Sequence, residues 1–235
     1  MVPIPLRDHI RRRSFWAFTL LLIVANTLVF LIELSLGHQL DRLVFLYGLV
    51  PARYSAPGAF SRLSPQFTIL PIFVSMFLHG GWLHLIGNML FLFVFGRSIE
   101  DRFGHLKYLL MYFGAGVGAA LVQIVTNAGS RIPTIGASGA IAGILGAYFV
   151  SFPSARITTL IPLFFFFWTI EVPAILLLGY WFLIQFVAGF QMLAIETVTT
   201  GGIAWWAHVG GFVLGAFLGV ALKPRRREVI VSVLP

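Results

Sequence analysis

Long runs of uncharged residues divide this chain, and they limit its fold more than any other feature. Counting His as neutral, six runs are long enough to form a membrane helix: 14–32, 63–96, 108–130, 132–155, 172–195 and 197–222. A helix needs about 20 apolar residues to cross the hydrocarbon core of a bilayer. Charged residues make up only 10% of the chain, too few to cover the surface of a soluble fold. The pattern therefore predicts an all-α membrane protein with six transmembrane helices, organised as a single domain over residues 1–235.

Prolines and aromatic residues mark two segments that we expect not to cross the membrane. The run 63–96 is too long for one span and contains Pro65 and a second proline. Its first half is therefore expected at the interface, and the second helix is expected to start near Gly81. The Phe-rich segment 157–170 contains Pro162 and is only 14 residues long. Its aromatic residues are typical of the interfacial belt, which predicts that it lies at the membrane surface.

Basic residues indicate how the helices are oriented. They cluster in short tails at about 1–13 and 223–235. The positive-inside rule places both tails in the cytoplasm and requires an even number of crossings, so the second, fourth and sixth helices begin on the outer side. This orientation explains the formal charge of +8 without a nucleic-acid partner, for which the sequence offers no soluble domain. No transit-like leader precedes the first helix, and we therefore expect the cell membrane.

Polar side chains lie at the outer ends of those three helices. The second helix carries His84 and Asn88 on one face, the fourth begins with Ser138, and the sixth carries His208. Taken singly, Ser138 is more often a helix cap, and His84 with Asn88 a hydrogen-bonded pair between helices. Glycines spaced four apart follow both Ser138 and His208: Gly139, Gly143, Gly211, Gly215 and Gly219. Because such stripes let membrane helices approach closely, we expect Ser138 and His208 to meet.

Together these residue types suit serine hydrolysis, which needs a nucleophile, a base and donors for the developing oxyanion. Ser138 would be the nucleophile and His208 the base, while Asn88, His84 and the backbone N–H of Ser138 would stabilise the oxyanion. No acidic residue lies near these motifs, so the sequence predicts a Ser–His dyad. The chain contains no Cys, which excludes a thiol nucleophile and a thiolate metal site. We expect neither a cofactor nor a bound metal.

The three motifs resemble those of a known family. Residues 136–139 form a G-x-S-G box, residues 84–88 an H-x-x-x-N motif and residues 207–211 an A-H-x-x-G motif. In this arrangement they resemble the rhomboid intramembrane serine proteases. The similarity extends over about 77–222, including an inner turn at 96–104 where a helix is expected to end.

The resemblance implies a six-helix rhomboid fold with the dyad and the oxyanion donors named above. It also implies that the partners are membrane-anchored proteins, cut in or near a transmembrane helix with water entering from the outer side. The fifth helix and the loop 194–202 would form a gate and a lid. One position departs from the family's pattern. Some members have an aromatic residue four after the nucleophile that stacks on the catalytic His, and this chain has Ala142 there. What orients His208 is therefore open.

Other functions fit parts of this pattern. An intramembrane metalloprotease could use His79, His84 and His208 as zinc ligands, although the chain has no H-E-x-x-H pair. A protease-inactive rhomboid relative could bind transmembrane helices, although such a protein can lose the Ser or His that this chain keeps. A transporter could use the His and Asn side chains along its pathway, although the membrane runs contain no carboxylate.

Overall fold

Apolar helices dominate the computed structural model of the chain, which describes residues 3–55, 64–163, 166–194 and 204–224. The main helices are α1 (Ala17–Ser35), α2 (Trp82–Phe103), α3 (His105–Thr126), α4 (Ser138–Ser151), α5 (Ala174–Ala194) and α6 (Trp205–Ala221). Helix α2 starts one residue after Gly81, as predicted, and contains one π-helical segment, Leu92–Gly96. The prediction of a helical membrane bundle is confirmed.

Four of these helices are long and apolar enough to cross a bilayer, namely α1, α2, α3 and α5. Helices α4 and α6 are shorter, with 14 and 17 residues. Large apolar side chains on the outer faces of the bundle are exposed, among them Leu28, Val125, Leu183 and Val220. Such a surface suits lipid tails, so the chain is a multi-pass membrane protein. The count of six crossings stays a prediction.

Helix α4 is the centre of the bundle. Every residue from Gly139 to Tyr148 is buried, and α3 and α6 pack against it. A helix that is apolar all round must be surrounded on all sides, which explains why α4 lies inside the ring formed by the other helices.

Glycines bring α4 and α6 into backbone contact. A Cβ atom on Gly211 would collide with the carbonyl oxygen of Gly139, and one on Gly215 would collide with the carbonyl of Gly143. One turn further along, a Cβ on Gly146 would lie 2.8 Å from the backbone nitrogen of Ala216. The predicted packing of the two glycine stripes against each other is therefore confirmed.

The described part of the connection between α1 and α2 contains short helical segments, which are Gly37–Gln39, Leu40–Tyr47, Ala52–Ser55, Pro65–Thr68 and Leu70–Val74. Pro65 stands in the first turn of its helix, where its missing N–H costs nothing. A two-way backbone pairing of Leu49 with Thr134 ties this connection to the segment before α4. The connection is thereby anchored close to the N-terminal end of α4.

The description all-α is incomplete, because three strands form an antiparallel sheet in the order β1 (Ile4–Asp8), β2 (Arg156–Leu163) and β3 (Phe166–Pro173). The described residues of the Phe-rich segment thus lie in two paired strands. Strand β2 is rich in β-branched residues, and its side chains alternate: Ile157 and Thr159 are buried, whereas Thr158 between them is partly exposed. This period of two is typical of a strand. The expected position at the membrane surface stays a prediction.

The N-terminal segment, expected as a basic tail, is folded against the bundle. Asp8 ends β1 and is 1% exposed. Its carboxylate accepts hydrogen bonds from Arg12 at 2.6 Å, from Ser98 and from Tyr148 at 3.3 Å. Burial of a carboxylate is tolerable only with such partners, so these contacts attach β1 to α2 and α4.

Two carboxylates from α2 complete the N-terminus of α1, which has no side-chain cap of its own. Glu100 accepts hydrogen bonds from the backbone N–H groups of Phe18 and Thr19, and Asp101 accepts from the backbone N–H of Ser14. Negative charge is favourable at this end of a helix. Helix α2 itself continues through Gly96 to Phe103, and the chain reverses at Gly104 (φ 81°). The inner turn expected at 96–104 is therefore confined to one residue.

Candidate active site

Ser138 is placed by a sharp turn at the start of α4. Gly136, two residues earlier, has φ 125°, a conformation that favours glycine, and its N–H donates to the carbonyl of Ser75 at 2.8 Å. A Cβ atom at Gly136 would lie 2.7 Å from the ring of His84 and 3.6 Å from Oγ of Ser138. Glycine here therefore allows the imidazole of His84 to approach the serine.

His208 lies in the first turn of α6 and faces Ser138. Its side chain is buried, and Nε2 is 2.7 Å from Oγ of Ser138. The backbone contact of Gly211 with Gly139, one turn away, explains how two short polar side chains 70 positions apart come within hydrogen-bond distance. The structure therefore brings together the two residues that the sequence proposed as nucleophile and base.

The other ring nitrogen of His208 has a partner that the sequence reasoning missed. Nδ1 is 2.7 Å from Oε1 of Gln185, a buried residue of α5. Trp181, one turn earlier on the same helix face, lies beside the imidazole with ring centroids 5.8 Å apart. A glutamine within an apolar helix indicates a polar contact inside the bundle, but the sequence does not show which residue Gln185 contacts.

His84 and Asn88 share one face of α2, as their spacing predicts. His84 accepts a hydrogen bond at Nδ1 from the N–H of Gly80 at 3.3 Å, and its ring contacts Gly136 next to Ser138. Asn88 is buried, and its Nδ2 has no acceptor among the described residues. A buried amide donor without a partner is costly, so this N–H group is available to a bound ligand atom.

His79 lies just before α2 and links it to α1. Its backbone N–H donates to both carboxylate oxygens of Glu33, at 3.1 and 3.2 Å, and its Nδ1 donates to the carbonyl of Phe77 at 3.1 Å. Burial, together with the neighbouring His84, lowers the pKa of His79 to about 4. These contacts give His79 a structural part in holding the entry to α2.

The zinc arrangement considered for His79, His84 and His208 does not form. Both ring nitrogens of His208 already have partners, Ser138 and Gln185. Within the part of the chain that the structure describes, no three His, Asp or Glu side chains are grouped closely enough to hold a metal ion.

A small cavity of about 30 Å³ opens beside Ser138. The residues that line it include Ser75, Thr134 and Ser138, which have polar side chains, and the apolar residues Met76 and Ala207. This space is large enough for a water molecule. The loop expected to act as a lid, 194–202, lies outside the described residues apart from its first position.

Comparisons with known proteins agree on one family. The Rhomboid domain profile matches residues 65–225. RHOMBOID-like protein 5 of Arabidopsis thaliana is 33% identical over 153 residues, 64% of this chain and 43% of that protein. The presenilin-associated rhomboid-like protein, mitochondrial, of Homo sapiens is 28% identical over 206 residues, 81% of this chain and 49% of that protein. RHOMBOID-like protein 6, mitochondrial, of Arabidopsis thaliana is 29% identical over 155 residues, 64% of this chain and 43% of that protein. The chain spans about half the length, or less, of these relatives.

Proposed function

The chain belongs to the rhomboid family, and from this premise we propose that it is an intramembrane serine endopeptidase that cleaves membrane-anchored proteins in or near a transmembrane helix. The observation that carries the proposal is the distance of 2.7 Å between Oγ of Ser138 and Nε2 of His208. A hydroxyl becomes an effective nucleophile when a neighbouring base takes its proton at this distance.

The proposed reaction begins when Oγ of Ser138 attacks a peptide carbonyl carbon and its proton passes to Nε2 of His208. The C–N bond then breaks, His208 returns the proton to the leaving amine, and an acyl-enzyme ester remains. Water attacks this ester with His208 again as base, which releases the acid product and restores Ser138. The cavity beside Ser138 supports this step because it has room for the water.

Three donors are proposed for the oxyanion: the side chains of Asn88 and His84 and the backbone N–H of Ser138. Asn88 is the best supported, since its buried Nδ2 has no acceptor among the described residues. The N–H of Ser138 is free of helical pairing because the residue begins α4. His84 is supported by the contact of its ring with Gly136.

The length of α4 supports a site below the membrane surface. Its 14 residues span about 21 Å, against roughly 30 Å for the hydrocarbon core. If the inner end of α4 reaches the inner boundary, Ser138 lies about 9 Å beneath the outer one. A substrate helix must then unwind before its carbonyl is accessible, so we propose a preference for helices with Gly, Pro or small polar residues near the outer end.

Labelling with a fluorophosphonate probe tests the class of the protein. The detergent-solubilised parent is expected to react, and the Ser138→Ala and His208→Ala variants are not. Ser151→Ala, at the other end of α4, is the matched control and should react like the parent. Equal labelling of Ser138→Ala would place the nucleophile elsewhere, and an unreactive parent that still binds transmembrane peptides would favour the protease-inactive alternative.

For the location, we propose the cell membrane, with six crossings, cytoplasmic termini and an active site open to the outer side. Two of the relatives described above carry mitochondrial in their names, which makes cell fractionation the deciding measurement. Since the chain has no Cys, single cysteines report orientation cleanly. An impermeant maleimide should label His38→Cys from outside intact cells, and Pro224→Cys only after lysis. The reverse pattern would contradict this orientation.

A further inference from the structure

We infer that Gln185 is a positioning residue that selects the tautomer of His208 in which Nε2 can accept the proton of Ser138. This inference rests on the proposed function. It concerns a residue of α5, outside the three motifs that carry the nucleophile, the base and the oxyanion donors. The contact that supports it is the 2.7 Å distance from Nδ1 of His208 to Oε1 of Gln185.

A neutral imidazole carries a proton on only one of its two nitrogens. When Nδ1 carries the proton, it donates to Oε1 of Gln185, and the lone pair of Nε2 is free for the hydroxyl of Ser138. When Nε2 carries the proton, it donates to Oγ of Ser138, and the serine has no base. With Oε1 of Gln185 facing Nδ1, as found here, the acceptor favours the productive tautomer.

Burial makes this selection effective. Gln185 is 7% exposed and His208 is 8% exposed, so bulk water competes little for either ring nitrogen. A hydrogen bond left unmade in such a place costs more than one at the surface. The productive tautomer satisfies both nitrogens with protein groups, which stabilises it relative to a rotated or flipped ring.

Trp181 fixes the plane of the same ring. It lies four residues before Gln185 and so on the same face of α5, with its ring tilted by 36° to the imidazole. It also lies 6.1 Å from the ring of Phe212, one turn beyond His208 on α6. Helix α5 thus supplies both an acceptor and a wall. These two contacts orient the ring of His208, which Ala142, a fully buried residue of α4 with only a methyl side chain, cannot do.

Three variants of α5 test the role. Gln185→Met keeps the length of the side chain and removes the acceptor, whereas Gln185→Glu keeps an acceptor in the same place. Gln191→Met makes the same exchange on an exposed position of α5 and is the matched control. Cleavage of a transmembrane substrate and melting temperature are measured for each variant in the same detergent.

For Gln185→Met we expect kcat to fall about 10²-fold, the scale of a general base, with little change in KM. Gln185→Glu should restore most of this loss, and Gln191→Met should match the parent. A Gln185→Met enzyme with the parent's kcat would overturn the inference and leave the proposed function intact. Equal losses in the Met and Glu variants would also overturn it, because a packing role would not distinguish them. A parent without Ser138-dependent turnover would overturn the proposed function, and this inference with it.

Discussion

The contact between α4 and α6 offers the strictest test of how the site is assembled. The Gly211→Ala variant adds one methyl group to the interface, where it would overlap the carbonyl oxygen of Gly139 and lie 3.1 Å from its carbonyl carbon. Carbon atoms in ordinary contact are about 3.5–4.0 Å apart. To relieve the overlap, α6 must move away from α4 by about 1 Å.

The displacement has a predictable effect on the proposed dyad, because Gly139 directly follows Ser138 and Gly211 lies one turn after His208. A shift of this size would lengthen the Oγ to Nε2 distance from 2.7 Å to about 3.7 Å, beyond hydrogen-bond range. A misplacement of about 1 Å can cost roughly 10²-fold in rate. Overpacking should also lower the free energy of unfolding by about 1–3 kcal/mol. Replacing a helical glycine with alanine is itself stabilising by about 0.5–1 kcal/mol and offsets part of this loss.

The assay is the rate of probe labelling at Ser138, measured with the melting temperature in the same detergent. Gly114→Ala is the matched control, since its Cβ would meet only Cδ1 of Leu218 at 3.8 Å, an ordinary contact. This control should label like the parent and melt no lower. If Gly211→Ala labels at the parent's rate, the packing of the glycine stripes does not set the geometry of the dyad, and the reasoning fails.

Three further predictions concern single side chains. Asn88→Ala should slow turnover by about 10² to 10³ with little change in melting temperature, and an unchanged rate would remove Asn88 from the mechanism. Glu100→Ala should lower the free energy of unfolding by about 1–3 kcal/mol, because it leaves N–H groups of α1 without acceptors. Glu171→Ala, at an exposed glutamate, is the control, and equal melting temperatures of the two variants would contradict this account. Because the pKa of His79 is lower in the folded than in the unfolded protein, its contribution to stability is complete above about pH 6.5 and falls as the pH drops towards 4. Between pH 7 and 5 this loss of stability should reach about 2 kcal/mol in the parent and be absent in His79→Gln. If the unfolding free energies of the parent and the variant change equally with pH, the prediction is refuted.

Much of the helical framework was predictable because the signals are local. The start of α2 near Gly81 follows from proline positions and run length, and the approach of α4 to α6 follows from glycine spacing. Both were confirmed. The residues proposed for catalysis also came from local patterns, namely polar side chains near the N-terminal ends of helices that are predicted to begin on one side of the membrane.

The sheet could not be predicted in the same way. Strand β1 pairs with β2 across some 150 positions, with Ile4 opposite Leu160 and Asp8 opposite Ile157. A basic N-terminal segment has the same composition whether it is a solvated tail or an edge strand. What decides between the two is a pair of hydroxyl groups, those of Ser98 and Tyr148, which donate hydrogen bonds to the carboxylate of Asp8. Both residues belong to helices far along the chain.

The sequence by itself determined that this chain forms membrane helices, which of them carry polar groups near their N-terminal ends, and which faces can pack closely, because helix length and periodicity are properties of neighbouring residues. Only the tertiary structure decided what surrounds His208, the proposed base. The rotation of α5 against α6 places Gln185 at one nitrogen of His208, and the contact of α4 with α6 places Ser138 at the other. That rotation depends on the packing of several helices at once, which no single stretch of sequence specifies.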